Sequence, residues 1–233
     1  MRCLKRIGSF LAAIALLFAS FVRVGAEAQV IYRCVSQTGR RLVALTFDDG
    51  PHPVYTPKIL DILKAEGINA TFFAVGENAE AYPELTARIV KEGHELGNHT
   101  YNHCHVGKMS KTALTEDIER CTEVIERISG EKPRFFRPPE GVCNDFVKEI
   151  CGRDGMTIVM WSVDTRDWAH TPICEICENV KSNTRSGAIV LMHDFIGKNS
   201  PTPAALRQIV SILRGLGYEF VTVSQLLSEG GVA

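Results

Sequence analysis

The chain has 233 residues, of which 45% are hydrophobic and 23% are charged, so it can bury one large core or two small ones. Its formal net charge is −1 and its basic residues form no patch in the sequence. These properties make nucleic acid a poor candidate for a partner, because such partners are held by clustered positive charge.

The first 26 residues have the layout of an export signal. Three basic residues within the first six positions precede an apolar run over 10–22, and small residues follow at 25–28. The run is too short for a comfortable transmembrane helix. We expect a cleaved signal peptide over 1–26, with a retained N-terminal anchor as the alternative. Both place the remaining chain outside the cell, secreted or at the cell wall, with membrane contact only through this segment.

Short apolar runs alternate with amphipathic stretches from residue 40 onward. The predicted strands lie at 42–47, 70–75, 94–98, 134–137, 156–163, 188–193 and 219–223. The predicted helices lie at 56–66, 81–92, 111–129, 144–153, 173–184 and 203–215. Seven strands that alternate with helices favour a parallel α/β architecture. We predict one domain over 40–230, preceded by an N-terminal extension over 27–39.

Seven cysteines follow the predicted signal peptide, and an exported chain may form disulfides. The odd number leaves at least one thiol unpaired within a monomer, and the sequence does not give the connectivity. Cys174 and Cys177 form a C-x-x-C pair at a predicted helix start. The alternatives for this pair are a redox couple, half of a zinc site, a local disulfide or two packed thiols, of which the last two are favoured.

Two adjacent carboxylates, Asp48 and Asp49, end the first apolar strand, and the Gly50-Pro51 pair then breaks it. Neighbouring carboxylates in a partly dry site repel each other unless a cation or an arginine compensates them. The chain offers an arginine at position 137, within an aromatic and proline-rich run.

His99 and His103 lie four positions apart, so on a helical turn they would share one face and could bind one ion. Alone, the pair is a weak signal. With a nearby carboxylate, two histidines leave positions open for water and substrate, as catalytic zinc sites require. The combination predicts a metal-assisted hydrolase.

Polar residues of catalytic type cluster at predicted strand ends. Because the active site of a parallel α/β barrel forms at the carboxyl ends of its strands, we expect these side chains to meet. They are Asp48, Asp49, His99, Arg137, Asp164 and His193.

Five motifs in order resemble the polysaccharide deacetylases that share the NodB homology domain, carbohydrate esterase family 4. The motifs are Thr46-Phe47-Asp48-Asp49-Gly50-Pro51, His99-Thr100-Tyr101-Asn102-His103, Arg137-Pro138-Pro139-Glu140-Gly141, Asp164-Thr165-Arg166-Asp167-Trp168 and Leu191-Met192-His193. The resemblance covers nearly the whole chain after the signal. It implies a distorted (β/α) barrel with about seven parallel strands.

The resemblance also implies metal and acid–base roles. Asp49, His99 and His103 would hold a divalent metal, usually Zn²⁺ and otherwise an ion such as Co²⁺ or Mn²⁺. Asp48 would be the general base for the attacking water, and His193 the general acid for the departing amine.

The remaining motif residues would position these groups and line the pocket. Arg137 would hold Asp48, and Asp167 would orient the network around His193 and Arg137. A backbone N–H just after Pro139 would stabilise the oxyanion, and Trp168 and Leu191 would wall the acetyl pocket.

The chain departs from the family pattern at Glu140, where an aromatic residue is usual. The backbone N–H at this position can still serve the oxyanion, but the side chain cannot supply the aromatic wall. A carboxylate near the metal could narrow the substrate range or repel acidic glycans.

The sequence therefore predicts a secreted, metal-dependent deacetylase that hydrolyses carbon–nitrogen bonds other than peptide bonds. Its substrate would be an N-acetylglucosamine-containing polysaccharide, either peptidoglycan, which is slightly favoured, or a chitin-type oligosaccharide, and a monomer is expected. The alternatives are an O-acetyl esterase of the acetylxylan type on the same scaffold, and a catalytically silent glycan-binding domain.

Overall fold

The structure is a computed structural model that describes residues 27–232. The helices are α1 Tyr55–Glu66, α2 Gly76–Ala81, α3 Pro83–Lys91, α4 Lys111–Ser129, α5 Asp145–Asp154, α6 Ile173–Asn183, α7 Thr202–Gly215 and α8 Val223–Glu229. The strands are β1 Val30–Ile31, β2 Cys34–Ser36, β3 Leu42–Asp48, β4 Thr71–Ala74, β5 Glu95–Asn98, β6 Phe135–Phe136, β7 Thr157–Val159, β8 Val163–Asp164, β9 Ala188–His193, β10 Glu219–Phe220 and β11 Gly230–Val232.

Nine of the described strands form one parallel sheet. Its order is β1-β7-β6-β5-β4-β3-β9-β8, with β10 paired to β3 away from this path. A separate antiparallel pair joins β2 to β11. The predicted parallel α/β barrel is confirmed, with more strands than the seven expected.

The alternation along β3 separates a helix-facing side from an interior side. Val43, Leu45 and Phe47 belong to the core under the helices, whereas Leu42 and Ala44 belong to the core inside the curved sheet. Because successive side chains of a strand point to opposite faces, Thr46 and Asp48 continue the interior side. Both faces are buried, as expected for a parallel sheet covered by helices.

The predicted strand 156–163 is wrong as a single element. It divides into β7 and β8, which lie near opposite ends of the sheet order and are joined by residues 160–162. Met160 donates its N–H to the Ile31 carbonyl beside β7, whereas the Ser162 N–H reaches the Ile189 carbonyl in β9. One continuous segment therefore connects the two sides of the sheet and curves it into an incomplete barrel.

The predicted helix 81–92 is confirmed as α3, and the short separate helix α2 that precedes it was not predicted. Tyr82 separates the two with φ −129° and ψ 61°, outside helical values. Pro83 then opens α3, where its fixed φ suits the first turn and its missing N–H costs nothing.

The chain termini of the described part carry elements that the sequence patterns did not predict. β1 joins the main sheet beside β7, and β2 pairs with β11. The predicted strand 219–223 stops at Phe220, because Thr222 caps α8 with a reciprocal side-chain and backbone bond to Gln225. The division into an N-terminal extension over 27–39 and a domain over 40–230 stays a prediction.

The predicted signal peptide over 1–26 lies outside the described residues. Among residues 27–232, no helix combines the length and the apolar character that a membrane crossing needs. All seven cysteines in this range are free thiols, with Cys177 buried and Cys174 exposed.

Candidate active site

The base and the acid implied by the motifs are delivered by two neighbouring strands. β3 pairs with β9 in parallel, and the register sets Asp48 opposite His193. Ile189 lies in the interior core, so alternation along β9 also brings Leu191 and His193 to the interior side. Asp48 and His193 therefore share one face at one end of the sheet, as the sequence predicts.

Arg137 is fully buried and forms a salt bridge with Asp48. Its Nη1 lies 2.7 Å from Asp48 Oδ1 and 2.8 Å from Thr46 Oγ1. Its Nε and Nη2 donate to the carbonyls of Val159 and Met160 at 2.9 and 3.0 Å. Each nitrogen of the guanidinium thus has a hydrogen-bond partner, and Asp48 is held through Oδ1 alone, which leaves Oδ2 for chemistry.

Asp49, His99 and His103 form a compact group of potential metal ligands. One ligand atom from each lies within 4.8 Å of the others. The Nε2 atoms of His103 and His99 are 3.1 and 3.3 Å from Asp49 Oδ1. That oxygen is buried and accepts no well-aligned hydrogen bond. One carboxylate oxygen and two imidazole nitrogens are a donor set that zinc prefers, so these residues fit a divalent cation.

The two histidines reach this group from a loop and not from the helical turn that their spacing suggested. Thr100 and His103 have left-handed φ values of 66° and 51°, and residues 99–105 contain no helix. His99 Nδ1 lies 2.7 Å from the Arg137 carbonyl, which leaves Nε2 toward Asp49. Such outer contacts fix the tautomer and orientation of a metal ligand.

The two imidazoles of the ligand group favour the ionised form of the Asp49 carboxylate. Burial acts to raise the pKa of Asp49, but the close imidazoles of His103 and His99 outweigh it and hold that pKa well below its usual range. The contact with Asp49 in turn raises the pKa of His103.

His193 is held by Asp167 through both its ring and its backbone. Nδ1 lies 2.7 Å from Asp167 Oδ1, and the backbone N–H donates to Oδ2 at 2.8 Å. Burial acts to lower the pKa of His193, but the Asp167 bond and neighbouring carboxylates raise it to about 9. Nε2 remains the nitrogen available for proton transfer. In the structure Asp167 contacts His193, and Arg137 is satisfied by other partners.

The contact between Asp167 and Thr202 was missed by sequence reasoning. The Thr202 hydroxyl donates to Asp167 Oδ2 at 2.6 Å from the first residue of α7. Thr202 lies 35 positions away from Asp167 and in no motif, so only the packing of α7 identifies it.

Glu140 projects toward the loop that carries His103. It adopts a left-handed φ of 57°, and its carboxylate lies 3.0 Å from His105 Nδ1 in an exposed pair. At this departure from the family's usual aromatic residue, the side chain therefore contacts His105 on the loop that follows His103. Pro139, which precedes it, is buried.

The remaining motif residues differ in their exposure. Leu191 is buried in β9, whereas the Trp168 side chain is 51% exposed. Asp164, which the strand-end pattern included, accepts the Arg166 N–H through its carboxylate and the Asn179 amide through its carbonyl. It therefore shapes the loop that carries Asp167 and does not reach His193.

Asp194 is a buried carboxyl immediately after the predicted acid. Its Oδ2 accepts the Thr56 hydroxyl at 2.5 Å, and its Oδ1 is buried without a hydrogen-bond partner. Burial raises its pKa to about 7. A Cβ at Gly50 would lie 2.0 Å from this carboxyl, so only glycine fits there.

Known proteins resemble this chain in sequence. The family model for polysaccharide deacetylase matches residues 36–159. A peptidoglycan-N-acetylglucosamine deacetylase of Bacillus cereus is 43% identical over 189 residues, which cover 80% of this chain and 88% of that protein. A chitooligosaccharide deacetylase of Bradyrhizobium sp. is 34% identical over 201 residues, with 81% and 92% coverage.

Solved structures with the same fold are similarly close. A peptidoglycan N-acetylglucosamine deacetylase, crystallised with a naphthalenyl N-oxidanyl-benzamide, superposes with a TM-score of 0.82 at 36% identity, covering 89% of this chain and 96% of that one. A family 4 acetyl xylan esterase from Clostridium thermocellum, in complex with a cobalt ion, gives 0.74 at 33% identity, with 80% and 90% coverage. From the family match, the shared fold and identities above 30% across four fifths of its length, the chain belongs to the polysaccharide deacetylase family.

Proposed function

We propose that the protein is an exported, metal-dependent deacetylase that hydrolyses N-acetyl groups of N-acetylglucosamine residues in peptidoglycan. The observation that carries the proposal is the arrangement around Asp49, His99 and His103. An arginine-held carboxylate, Asp48, stands on one side of this group, and an aspartate-held imidazole, His193, stands nearby on the adjacent strand.

The chain's own residues divide the proton transfers between them. Asp48, held by Arg137 through Oδ1, takes a proton from the attacking water through Oδ2. As the acetamide C–N bond breaks, His193 gives its Nε2 proton to the departing amine, and acetate is the other product. Asp167 keeps the imidazole oriented and protonated until that step.

Zinc is the ion that we propose for the ligand group, because a carboxylate and two imidazoles leave open positions on a tetrahedral ion. When bound, it would polarise the acetyl carbonyl and lower the pKa of a coordinated water. Glu140, through its backbone N–H, would contribute to the oxyanion site.

Peptidoglycan is proposed ahead of chitin-type oligosaccharides because the Bacillus cereus relative named for it has the higher identity and coverage. The Bradyrhizobium relative keeps chitin-type substrates as the second candidate. The cobalt-bound acetyl xylan esterase keeps O-acetyl esters as the third, since ester and amide hydrolysis pass through the same type of tetrahedral oxyanion.

A substrate panel tests the proposal. Acetate release by the protein lacking residues 1–26 would be measured on peptidoglycan, N-acetylglucosamine oligomers and acetylxylan, each with zinc. We expect release from peptidoglycan at the highest kcat/KM. Faster release from acetylxylan than from both amide substrates would assign the protein as an esterase. Tight glycan binding without turnover would assign it as a silent binder.

A further inference from the structure

Three aromatic rings are stacked beside the candidate active site. The rings of His52 and Phe195 are 4.8 Å apart and nearly parallel, with an interplanar angle of 9°. The centroid of the Tyr55 ring lies 5.0 Å from that of His52, with an interplanar angle of 25°. We call the His52 and Phe195 pair the rim stack.

The rim stack follows directly from the pairing of β3 with β9. Asp48 and His193 are opposite each other at the ends of these strands, and the Asp194 N–H extends the pairing to the Asp48 carbonyl at 3.1 Å. His52 follows Asp48 by four residues, and Phe195 follows His193 by two. The stack therefore stands on the same rim as the base and the acid.

Hydrogen bonds fix the His52 side of the stack. Its Nδ1 accepts the backbone N–H groups of Val54 and Tyr55 at 3.2 and 3.3 Å. The backbone N–H of His52 donates to Thr56 Oγ1 at 2.7 Å, and the Thr56 hydroxyl donates to Asp194. Because Nδ1 is an acceptor, the ring is neutral and carries its hydrogen on Nε2. The His52 ring is therefore a fixed support for the Phe195 ring, with one donor at Nε2.

The stack is also open to a ligand. The Phe195 side chain is 38% exposed although its ring packs on His52. A neutral aromatic surface with a polar edge suits a pyranose ring, which presents an apolar C–H face and hydroxyl groups at its edge. It offers no charge that would attract an ionic ligand.

We propose that the rim stack is a sugar subsite, which holds an N-acetylglucosamine ring of the same glycan next to the ring that is deacetylated. This inference rests on the proposed function. The rim stack would explain a preference for oligomers over single sugars, because it would bind a second ring of the same glycan. Phe195 would supply the stacking surface, and His52 would support it and donate through Nε2.

Equilibrium binding of N-acetylglucosamine oligomers to the zinc-free protein tests the subsite without turnover. Titration calorimetry would compare the dimer with the tetramer on the wild type, Phe195→Ala and Phe195→Tyr. His52→Asn removes the second ring but keeps an acceptor for the Val54 and Tyr55 N–H groups. Tyr32→Ala is the control, because this exposed aromatic residue lies beside Asn183 and Arg185, before the start of β9.

We expect Phe195→Ala to weaken tetramer binding about tenfold, Phe195→Tyr to retain it and Tyr32→Ala to match the wild type. With zinc and a tetramer substrate, KM should rise in Phe195→Ala while kcat is kept. Wild-type affinity in Phe195→Ala, or an equal loss in Tyr32→Ala, would overturn the subsite. Absence of acetate release by the wild type would reject the proposed function but not the subsite, because the binding comparison tests the subsite separately.

Discussion

At the scale of single residues, the site depends on two contacts that each include a carboxylate. Arg137 binds Asp48, the proposed base, and Asp167 binds His193, the proposed acid. Arg137 holds Asp48 in place, because its fully buried guanidinium donates to Asp48 Oδ1 while its Nε and Nη2 donate to backbone carbonyls. Asp167 keeps His193 charged. The base is therefore positioned, and the acid is protonated, before the substrate arrives.

Replacing the proposed base separates chemistry from metal binding. Asp48→Asn keeps the shape of the side chain and removes its basicity, so we expect kcat to fall about 10²–10⁴-fold. Zinc affinity, measured by competition with a chelating dye, should stay close to that of the wild type because Asp49 supplies the carboxylate ligand. Wild-type turnover by Asp48→Asn would remove Asp48 as the base.

The pH dependence reports on His193. With a pKa raised to about 9, the imidazole is protonated below that pH and loses its proton above it, so kcat should decline as pH rises through about 9. Asp167→Asn removes the anion that raises this pKa, so the basic limb of the profile should move to lower pH. If the basic limb of the kcat profile stays at the same pH in Asp167→Asn, another group is the acid.

At the scale of elements, the strand ends were predictable and the connections between them were not. Each of the five motifs carries residues at or after a strand end, so the alternation of apolar and polar residues was enough to bring Asp48, Arg137 and His193 together. The division of 156–163 could not be read from hydrophobicity, because both halves are buried. The contacts of Thr202 and the rim stack depend on register and helix packing, which no local pattern contains.

A glycine immediately before β9 allows a close approach of the backbone at Cys34 in β2. Gly187 has φ 82°, and an added Cβ would lie 1.3 Å from the Cys34 carbonyl oxygen. Gly39 has a similar φ of 75° with nothing within 4 Å of that position.

The two glycines form a matched pair of variants. Gly39→Ala should cost about 1 kcal/mol of unfolding free energy from backbone strain alone. Gly187→Ala adds the clash and should cost about 3 kcal/mol or more. Denaturant unfolding measures both, and equal costs would show that the approach of β2 to β9 is not tight in solution.

At the scale of the whole molecule, the ligand group joins two strands of the sheet that are not direct neighbours. Asp49 follows β3, whereas His99 and His103 follow β5, and β4 lies between them. An ion bound only by the folded arrangement must stabilise the entire fold by mass action. The site and the stability of the molecule are therefore thermodynamically linked.

Zinc should raise the unfolding free energy by about 2.7 kcal/mol when its free concentration is a hundredfold above the dissociation constant. Thermal unfolding with zinc and with a chelator measures this difference. His99→Ala should abolish it, whereas His105→Ala should keep it, because His105 pairs with Glu140 outside the ligand group. A zinc effect retained in His99→Ala would place the ion elsewhere.

The most direct test of the account is acetate release from N-acetylglucosamine oligomers and peptidoglycan, measured on the chelated protein and then during stepwise addition of zinc. The account predicts no release after chelation, and recovery that saturates at one equivalent of zinc. Release that persists in the chelated protein, or no release with one equivalent of zinc bound, would contradict metal-dependent N-deacetylation at this site.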